Sequence, residues 1–194
     1  MRRHHRPTFI VGFDDSGAGK GSGRSIEGLP LVELLSGCSM HLKKFGGHAM
    51  AAGLTVEEKS FPAFREAFEG EARKLANEDI LTPRLRLDAE VELHDLEFSL
   101  LEAQDLVEPF GAGNPQPILY TRAISPTGIP RSMKDKHLKI EFSAGRRRVP
   151  AVFFNATLAG LPRPPWDVAY TLDWNCWQGR TEAQMRIVDL RGAA

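Results

Sequence analysis

Leu85-Arg86-Leu87-Asp88-Ala89-Glu90-Val91-Glu92-Leu93, residues 85–93, alternates apolar and charged side chains with period two, the signature of a strand with one buried face. The stretch decides the fold because the chain reads differently on its two sides. The boundary between two domains falls at Thr82-Pro83, which gives residues 1–80 and residues 81–194. Upstream, residues 8–13 (TFIVGF) form a short apolar, β-branched run that predicts a buried strand, followed by a glycine-rich loop over residues 17–25. Pro30 opens a helix whose apolar positions Leu31, Leu34, Leu35, Cys38 and Leu42 share one face, with Lys43 and Lys44 near its end and Gly46 placed to stop it. After a short strand over residues 53–56, Ser60 and Pro62 start a second helix carrying Phe61, Phe64, Phe68, Ala72 and Leu75 along one side. Strand, helix, strand, helix describes a small mixed α/β domain.

Downstream, a short helix over residues 99–107 and a turn-rich stretch over residues 108–115 lead into segments that read almost wholly as strands. Leu138, Ile140 and Phe142 alternate, as do Val168, Tyr170, Leu172, Trp174 and Cys176, and residues 180–190 follow a Gln-Gly turn. About five short antiparallel strands with one helix predict a small barrel, the OB-fold being one, or a sandwich. The class is therefore α+β.

The 194 residues are 42% hydrophobic and 26% charged, a composition that excludes disordered, collagen-like and membrane-spanning chains. No run approaches the roughly 18 apolar residues of a membrane helix. Residues 8–12 are too short for a signal peptide, so a cytoplasmic protein without a membrane partner is expected. The two cysteines, Cys38 and Cys176, lie far apart and in no Cys-x-x-Cys pair, which suggests neither a disulfide framework nor a zinc site. Lys plus Arg and Asp plus Glu both total 25, yet the charges are segregated. Residues 84–110 hold two basic against eight acidic side chains, and residues 120–150 hold eight basic against two acidic. The basic block is either a polyanion-facing surface or a solvated face.

Gly17-Ala18-Gly19-Lys20-Gly21-Ser22-Gly23-Arg24-Ser25 fails both nucleotide-loop templates. A P-loop requires glycine where Asp14 stands and Ser or Thr where Gly21 stands, and the Rossmann fingerprint requires glycine at Ser22 or at Arg24. What remains is an ordinary turn, or a loop whose backbone amides approach an anion, with Ser22 and Ser25 as hydroxyl donors and Arg24 as a planar fork for phosphate. In Gly46-Gly47-His48-Ala49-Met50-Ala51-Ala52-Gly53, small residues let another surface come close to the backbone, with His48 at the approach. That setting suits a structural histidine, a phosphate donor or an acid/base group near neutral pH. Asp14-Asp15 read as a polar loop, not as metal ligands, and no spacing assembles a Ser/His/Asp or Cys/His nucleophile system. Parity puts Tyr170 and Trp174 inside with Val168 and Leu172, and leaves Trp177 on the surface as the aromatic for base stacking.

Taken in order, Lys20-Gly21-Ser22-Gly23-Arg24-Ser25, Phe45-Gly46-Gly47-His48-Ala49-Met50-Ala51-Ala52-Gly53 and Glu108-Pro109-Phe110-Gly111-x-Gly113-Asn114-Pro115 resemble the bacterial RecJ single-strand-specific exonucleases, over nearly the whole chain. The glycine-histidine motif is shared more widely, with DHH-type phosphoesterases and alanyl-tRNA synthetase-like domains. The Glu-Pro-Phe-Gly linker and the strand-rich end are specific to RecJ. The resemblance implies a DHH-associated domain over about residues 6–79 followed by an OB-fold. It implies a family that degrades single-stranded DNA from its 5′ end by metal-dependent phosphodiester hydrolysis, in recombination and repair. Position by position, Ser22, Gly23, Arg24 and Ser25 would hold substrate phosphate, and Gly46, Gly47 and His48 would line the same cleft from the other side.

The departure from the family matters as much. Its metal ligands belong to an N-terminal DHH domain with aspartates and an Asp-His-His sequence, and nothing of that kind occurs in this sequence. The expectation is the C-terminal part of a RecJ, as a gene fragment, an internal start or an expression boundary, without a catalytic residue or metal ligand. Mn2+ or Mg2+ is expected for the full-length family and no cofactor for this chain. Such a chain binds single-stranded DNA without cutting it: Arg24 and His48 grip the phosphate, while Arg146, Arg147 and Arg148 in the basic block, with Trp177, guide the trailing strand. Two alternatives stand beside it. A DHH domain supplied by another chain docks on residues 8–13 and completes a nuclease or a phosphodiesterase for short or cyclic nucleotides, or the chain is a protein-interaction module.

Overall fold

Glycines at positions 19, 21 and 23 build a strand where the sequence predicts a loop. The computed structural model describes residues 4–193, the side chains of Trp177 and Arg180 excepted. Two units divide the chain, Met1–Arg84 and Leu85–Ala194. The first contains β1 (Thr8–Phe13), β2 (Ala18–Arg24), α1 (Leu31–Gly37), β3 (Lys44–Gly47), β4 (Ala51–Glu57), α2 (Phe61–Leu75) and α3 (Glu78–Leu81). Its antiparallel sheet has the order β1-β2-β4-β3, so β2 is paired along both edges. The register sets Phe9 against Gly23, Val11 against Gly21 and Phe13 against Gly19. A Cβ at Gly23 would stand 2.4 Å from the Phe9 ring, and one at Gly19 2.5 Å from that of Phe13. The β1 side chains thus lie across bare backbone and meet α2, where Phe9 packs edge-on against Phe68 at 5.4 Å and Phe13 against Phe61 at 5.4 Å. Glycine in this strand is the space those rings need.

Leu31, Leu35 and Cys38 close the same core over Leu54 and Val56. The first helix is shorter than its apolar pattern predicts. It stops at Gly37, a turn over Ser39–His41 follows, and Gly46 lies in β3, paired with Gly53. Leu42 still packs on the core after the turn, which is why helical spacing persists beyond the helix. Ser60 makes no side-chain cap on α2, whereas Asn77 caps α3 by accepting the Ile80 N–H at 2.9 Å. Leu75, expected on the packed side, is 44% exposed.

The second unit contains β5 (Ala89–Glu90), α4 (Phe98–Asp105), β6 (Leu119–Ile124), β7 (Arg131–Met133), β8 (His137–Ala144), β9 (Arg147–Phe154), β10 (Trp166–Trp177) and β11 (Arg180–Gly192). The sheet order is β5-β6-β10-β11-β9-β8-β7, mainly antiparallel, with β9 parallel to β11. The chain just after β6 bridges β8 at Pro126 and Phe142, and the Thr127 N–H donates to the Glu141 carbonyl at 2.8 Å. The order β6-β10-β11-β9-β8 thereby returns to its start, in the Greek-key sequence of an OB-fold. Leu138, Ile140, Phe142, Ala151, Val168, Tyr170, Leu172 and Met185 fill one core with Leu96 and Leu101 from the chain before β6.

The opening alternation of residues 85–93 gives only the two-residue strand β5, which pairs with β6 at Ala89 and Glu90 before the chain turns at Leu93–Asp95. The Asp88 N–H on Ile118 and the Val91 N–H on Tyr120 hold it there, and Leu85 and Leu87 remain half-exposed. Trp174 is also displaced from expectation: it lies past the core end of β10 and is 37% exposed. No helix among the described residues is long and apolar enough to cross a membrane.

Candidate nucleic-acid interface

With Gly19, Gly21 and Gly23 turned to the helices, their neighbours Lys20, Ser22 and Arg24 occupy the opposite face of the sheet. The registers place Thr8, Ile10 and Gly12 beside them on β1, Ala51, Gly53 and Thr55 on β4, and Lys44 and Gly46 on β3. A shallow cavity of about 710 Å³ runs over Thr8, Ile10, Gly12, Lys20, Ser22 and Arg24. Lys20, Arg24 and Lys44 are in no ion pair among the described residues. Arg24 Nη1 donates to the Gly23 carbonyl at 2.8 Å and lies 3.4 Å from Ser22 Oγ, which fixes the guanidinium over the sheet. Glycine here answers to a different demand. A Cβ at Gly46 would meet nothing within 4 Å, and one at Gly53 only the Gly21 carbonyl at 3.5 Å. Internal packing does not require these two glycines, and their absence of side chains leaves a flat floor among the cations.

His48 sits on the turn between β3 and β4. Gly47 adopts φ +143°, and a Cβ there would stand 2.4 Å from the Ala51 carbonyl, so the turn requires glycine. The turn is tied down by the Ser25 N–H on Met50 and the Leu31 N–H on Ala49, which keeps the exposed His48 at the Arg24 end of the sheet. Ser22, Arg24, Gly46 and His48 are therefore brought to one face or its rim. Gly23 faces the helices, and Ser25 is buried with its hydroxyl donating to the Leu29 carbonyl. The backbone amides of β2 are held in ladders on both edges, so the side chains, not the amides, are what this face offers an anion.

Nearby carboxylates are otherwise occupied. Lys43 and Lys59 hold Glu57 ionised, with its pKa lowered to about 2. Asp14 accepts from the Ser16 N–H, the Ser16 hydroxyl and the Ala18 N–H, which lowers its pKa. Among the described residues, no group of three or more His, Cys, Asp or Glu side chains is placed to hold a metal ion. That donor set does not fit a divalent metal.

On the barrel, Arg131 pairs across from Lys139, Lys134 and Lys136 sit between β7 and β8, and Arg146 lies on the β8–β9 turn. The three consecutive arginines have different roles. Arg146 is exposed, and Arg148 lies 3.8 Å from Glu141. Arg147 turns back to donate to the carbonyls of Leu96, Leu93 and His94 at 2.6, 3.1 and 3.1 Å. Trp177 ends β10, and its side chain lies outside the described residues. An aromatic the sequence reading misses stands on β9: Phe154, 43% exposed, with the Arg186 guanidinium over its ring at 5.1 Å and the His137 ring edge-on at 5.1 Å. Alternation gives it no clear signal, since Val152 on the same parity is buried along with Val149 and Ala151. OB-folds bind oligonucleotides on the faces of their second and third strands and on adjoining loops, here β8, β9 and the turn that contains β7.

The family description of the RecJ OB domain matches residues 87–189, and that of the DHHA1 domain matches residues 1–74. The chain is 29% identical to the single-stranded-DNA-specific exonuclease RecJ of Bacillus subtilis, over 96% of this chain and 24% of that protein. It is 33% identical to the RecJ of Dickeya dadantii, over 97% of this chain and 34% of that protein. Crystal structures of RecJ from Thermus thermophilus in complex with Mg2+ and with Mn2+ superpose with a TM-score of 0.79 over 97% of this chain, at 27% and 28% identity. The chain spans about a quarter to a third of the length of the relatives it matches.

Proposed function

Because the chain belongs to the RecJ family, through the RecJ OB domain at residues 87–189 and the DHHA1 domain at residues 1–74, we propose that it is the substrate-gripping portion of a RecJ-type 5′-to-3′ single-stranded-DNA exonuclease, binding the strand without cutting it alone. In this reading residues 1–80 are the DHH-associated substrate domain and residues 81–194 the OB-fold. The observation that carries it is the uncovered face of the first sheet, where Lys20, Arg24 and Lys44 surround a floor of Gly46 and Gly53 that packing does not require. A phosphate approaching that floor meets the Arg24 fork, the Ser22 hydroxyl and the His48 ring. The basic side chains Arg131, Lys139, Arg146 and Arg148 carry the trailing backbone, and Phe154, with Trp177, stacks bases. In this reading a DHH domain holds the Mg2+ or Mn2+ of hydrolysis.

Fluorescence anisotropy with 5′-phosphorylated and 5′-hydroxyl single strands and their duplex, at two salt concentrations with Mn2+ and a gel readout, tests this. Salt-sensitive preference for the 5′-phosphorylated single strand, reduced in Arg24→Ala and accompanied by no cleavage, is the expected result. Equal affinity for the duplex, or metal-dependent cleavage by the pure chain, overturns it. One observation favours a second reading, in which a DHH domain on another chain docks on residues 8–13 and completes a nuclease. The outer edge of β1 has no strand partner among the described residues, and beside it an apolar groove of about 880 Å³ is lined by Phe9, Val11, Phe13, Phe61, Phe64 and Phe68. Mixing the two chains with labelled single strand tests it, through the appearance of metal-dependent cleavage.

A further inference from the structure

The barrel unit carries a second surface of the opposite character to its basic block. Phe98 at the start of α4 is 50% exposed and packs on Trp174 at 5.4 Å, with Trp174 itself 37% exposed. One carboxylate oxygen of Asp105, two turns along the same helix, accepts the Trp174 indole N–H at 3.0 Å. The two aromatics are thus fixed side by side along α4 with their outer surfaces in solvent. Leu106 and Val107 follow directly, 86% and 53% exposed. Around this apolar strip stand the exposed carboxylates of Glu97, Glu102, Asp105 and Glu108, none in an ion pair among the described residues. The Arg147 guanidinium, which reaches the segment before α4, is committed to three backbone carbonyls there.

A phosphate backbone is repelled by four unneutralised carboxylates, so the strand proposed for β8 and β9 has no use for this surface. A rim of one sign around an apolar centre selects a partner of the other sign with an apolar face, and an exposed aromatic strip of this kind marks an interaction site more often than a bare solvent face. We infer that the α4 surface, from Phe98 and Trp174 to Val107, is a docking site for a cationic amphipathic segment of another protein, whose apolar side chains cover Phe98 and Trp174 while its Lys or Arg side chains reach Glu97, Glu102, Asp105 and Glu108. The surface is separate from the DNA-facing one and works at the same time. The indole face of Trp174 adds an attraction for the same cations.

The test uses the full chain and a labelled eighteen-residue helical peptide of leucine and lysine in amphipathic arrangement, with its leucine and glutamate counterpart as the control, at low and high salt. The lysine peptide is expected to bind at low salt with a change in tryptophan emission and the glutamate peptide not to bind. Glu97→Lys/Glu102→Lys is expected to weaken the lysine peptide at least ten-fold. Glu27→Lys/Glu66→Lys, the same charge change at exposed positions of the first unit, leaves it within two-fold. Phe98→Ser, which removes an exposed ring without opening the core, weakens it as well, and circular dichroism checks each fold. Absence of lysine-peptide binding, equal binding of the two peptides, or equal loss in both double variants overturns the inference. So does sedimentation showing that Phe98 and Trp174 are covered in a dimer of this chain, with the dimer dissociating in Phe98→Ser.

Discussion

Replacing Arg147 by alanine separates folding from binding inside a run of three arginines. Its guanidinium donates to the carbonyls of Leu96, Leu93 and His94, and Leu93 and Leu96 are core residues of the barrel unit. The side chain therefore holds the segment that seats them. A hydrogen bond from a charged donor contributes on the order of 1.5 to 3 kcal/mol where it is dry, but Arg147 is exposed and water replaces it in part. About 0.7 kcal/mol for each of the three bonds gives a loss of about 2 kcal/mol. For a unit of about 110 residues that loss lowers the melting temperature by roughly 8 °C. All three tryptophans, Trp166, Trp174 and Trp177, belong to this unit, so thermal unfolding followed by tryptophan emission reports it alone. Arg147→Lys keeps the charge but cannot span three carbonyls, and it should recover less than half of the loss. Arg146→Ala and Arg148→Ala should melt within about 1 °C of the parent while weakening single-strand binding. An Arg147→Ala protein that melts with the parent and loses DNA affinity as its neighbours do would refute the assignment.

Gly23→Ala forces a methyl group toward the Phe9 ring and should destabilise the first unit by about 1 to 3 kcal/mol in urea unfolding, whereas Gly46→Val should leave the unfolding midpoint unchanged and weaken single-strand binding in anisotropy. Phe154→Ala should cost about 1 to 3 kcal/mol of oligonucleotide affinity, the worth of one stacked base, with little effect on melting of this half-exposed ring. Burial pushes the Tyr170 hydroxyl up to about 12, against a hydrogen bond with Thr121 that lowers it. The folded state thus holds that proton more tightly than the unfolded chain, so stability is full below pH 10 and declines as pH rises from 10 towards 12, by about 2 kcal/mol. Tyr170→Phe should flatten that decline in pH-dependent urea unfolding, and an unchanged slope would count against the buried phenol as its source.

What the sequence disclosed follows from which residues carry an apolar pattern. The inward faces of β8 and β10, through Leu138, Ile140 and Phe142 and through Val168, Tyr170 and Leu172, are legible because period-two alternation is imposed by one buried face. β2 carries no such pattern. Its extended backbone is dictated by Phe9, Val11 and Phe13 on the neighbouring strand, and no local rule reveals that glycines serve as seats for another strand's side chains. Arg147 was hidden for a related reason. Its partners lie more than fifty residues away, and a run of three arginines gives no sign of which one turns inward. Ser22, Arg24 and His48 were grouped through the resemblance, since the residues alone left an ordinary turn and a structural histidine open, and the commitment of Ser25 to Leu29 depends on a turn that only the folded chain defines.

Glycine in the first sheet answers to two constraints at once, and their separation bears on how the proposed phosphate grip works. Gly19, Gly21 and Gly23 are fixed by rings and branched side chains on the covered side, which leaves β2 rigid and paired along both edges. Rigidity there means that Lys20, Ser22 and Arg24 emerge from a backbone that cannot rearrange to meet a ligand. Gly46 and Gly53 are free of any such demand, so the depth of the floor is the one dimension that sequence change can alter without disturbing the core. A loop of free amides would wrap an anion and adapt to its shape. This sheet instead presents three cations at set spacing over a flat bed, a geometry that under the proposed function would discriminate by the position of a terminal phosphate and leave the identity of the attached base unread.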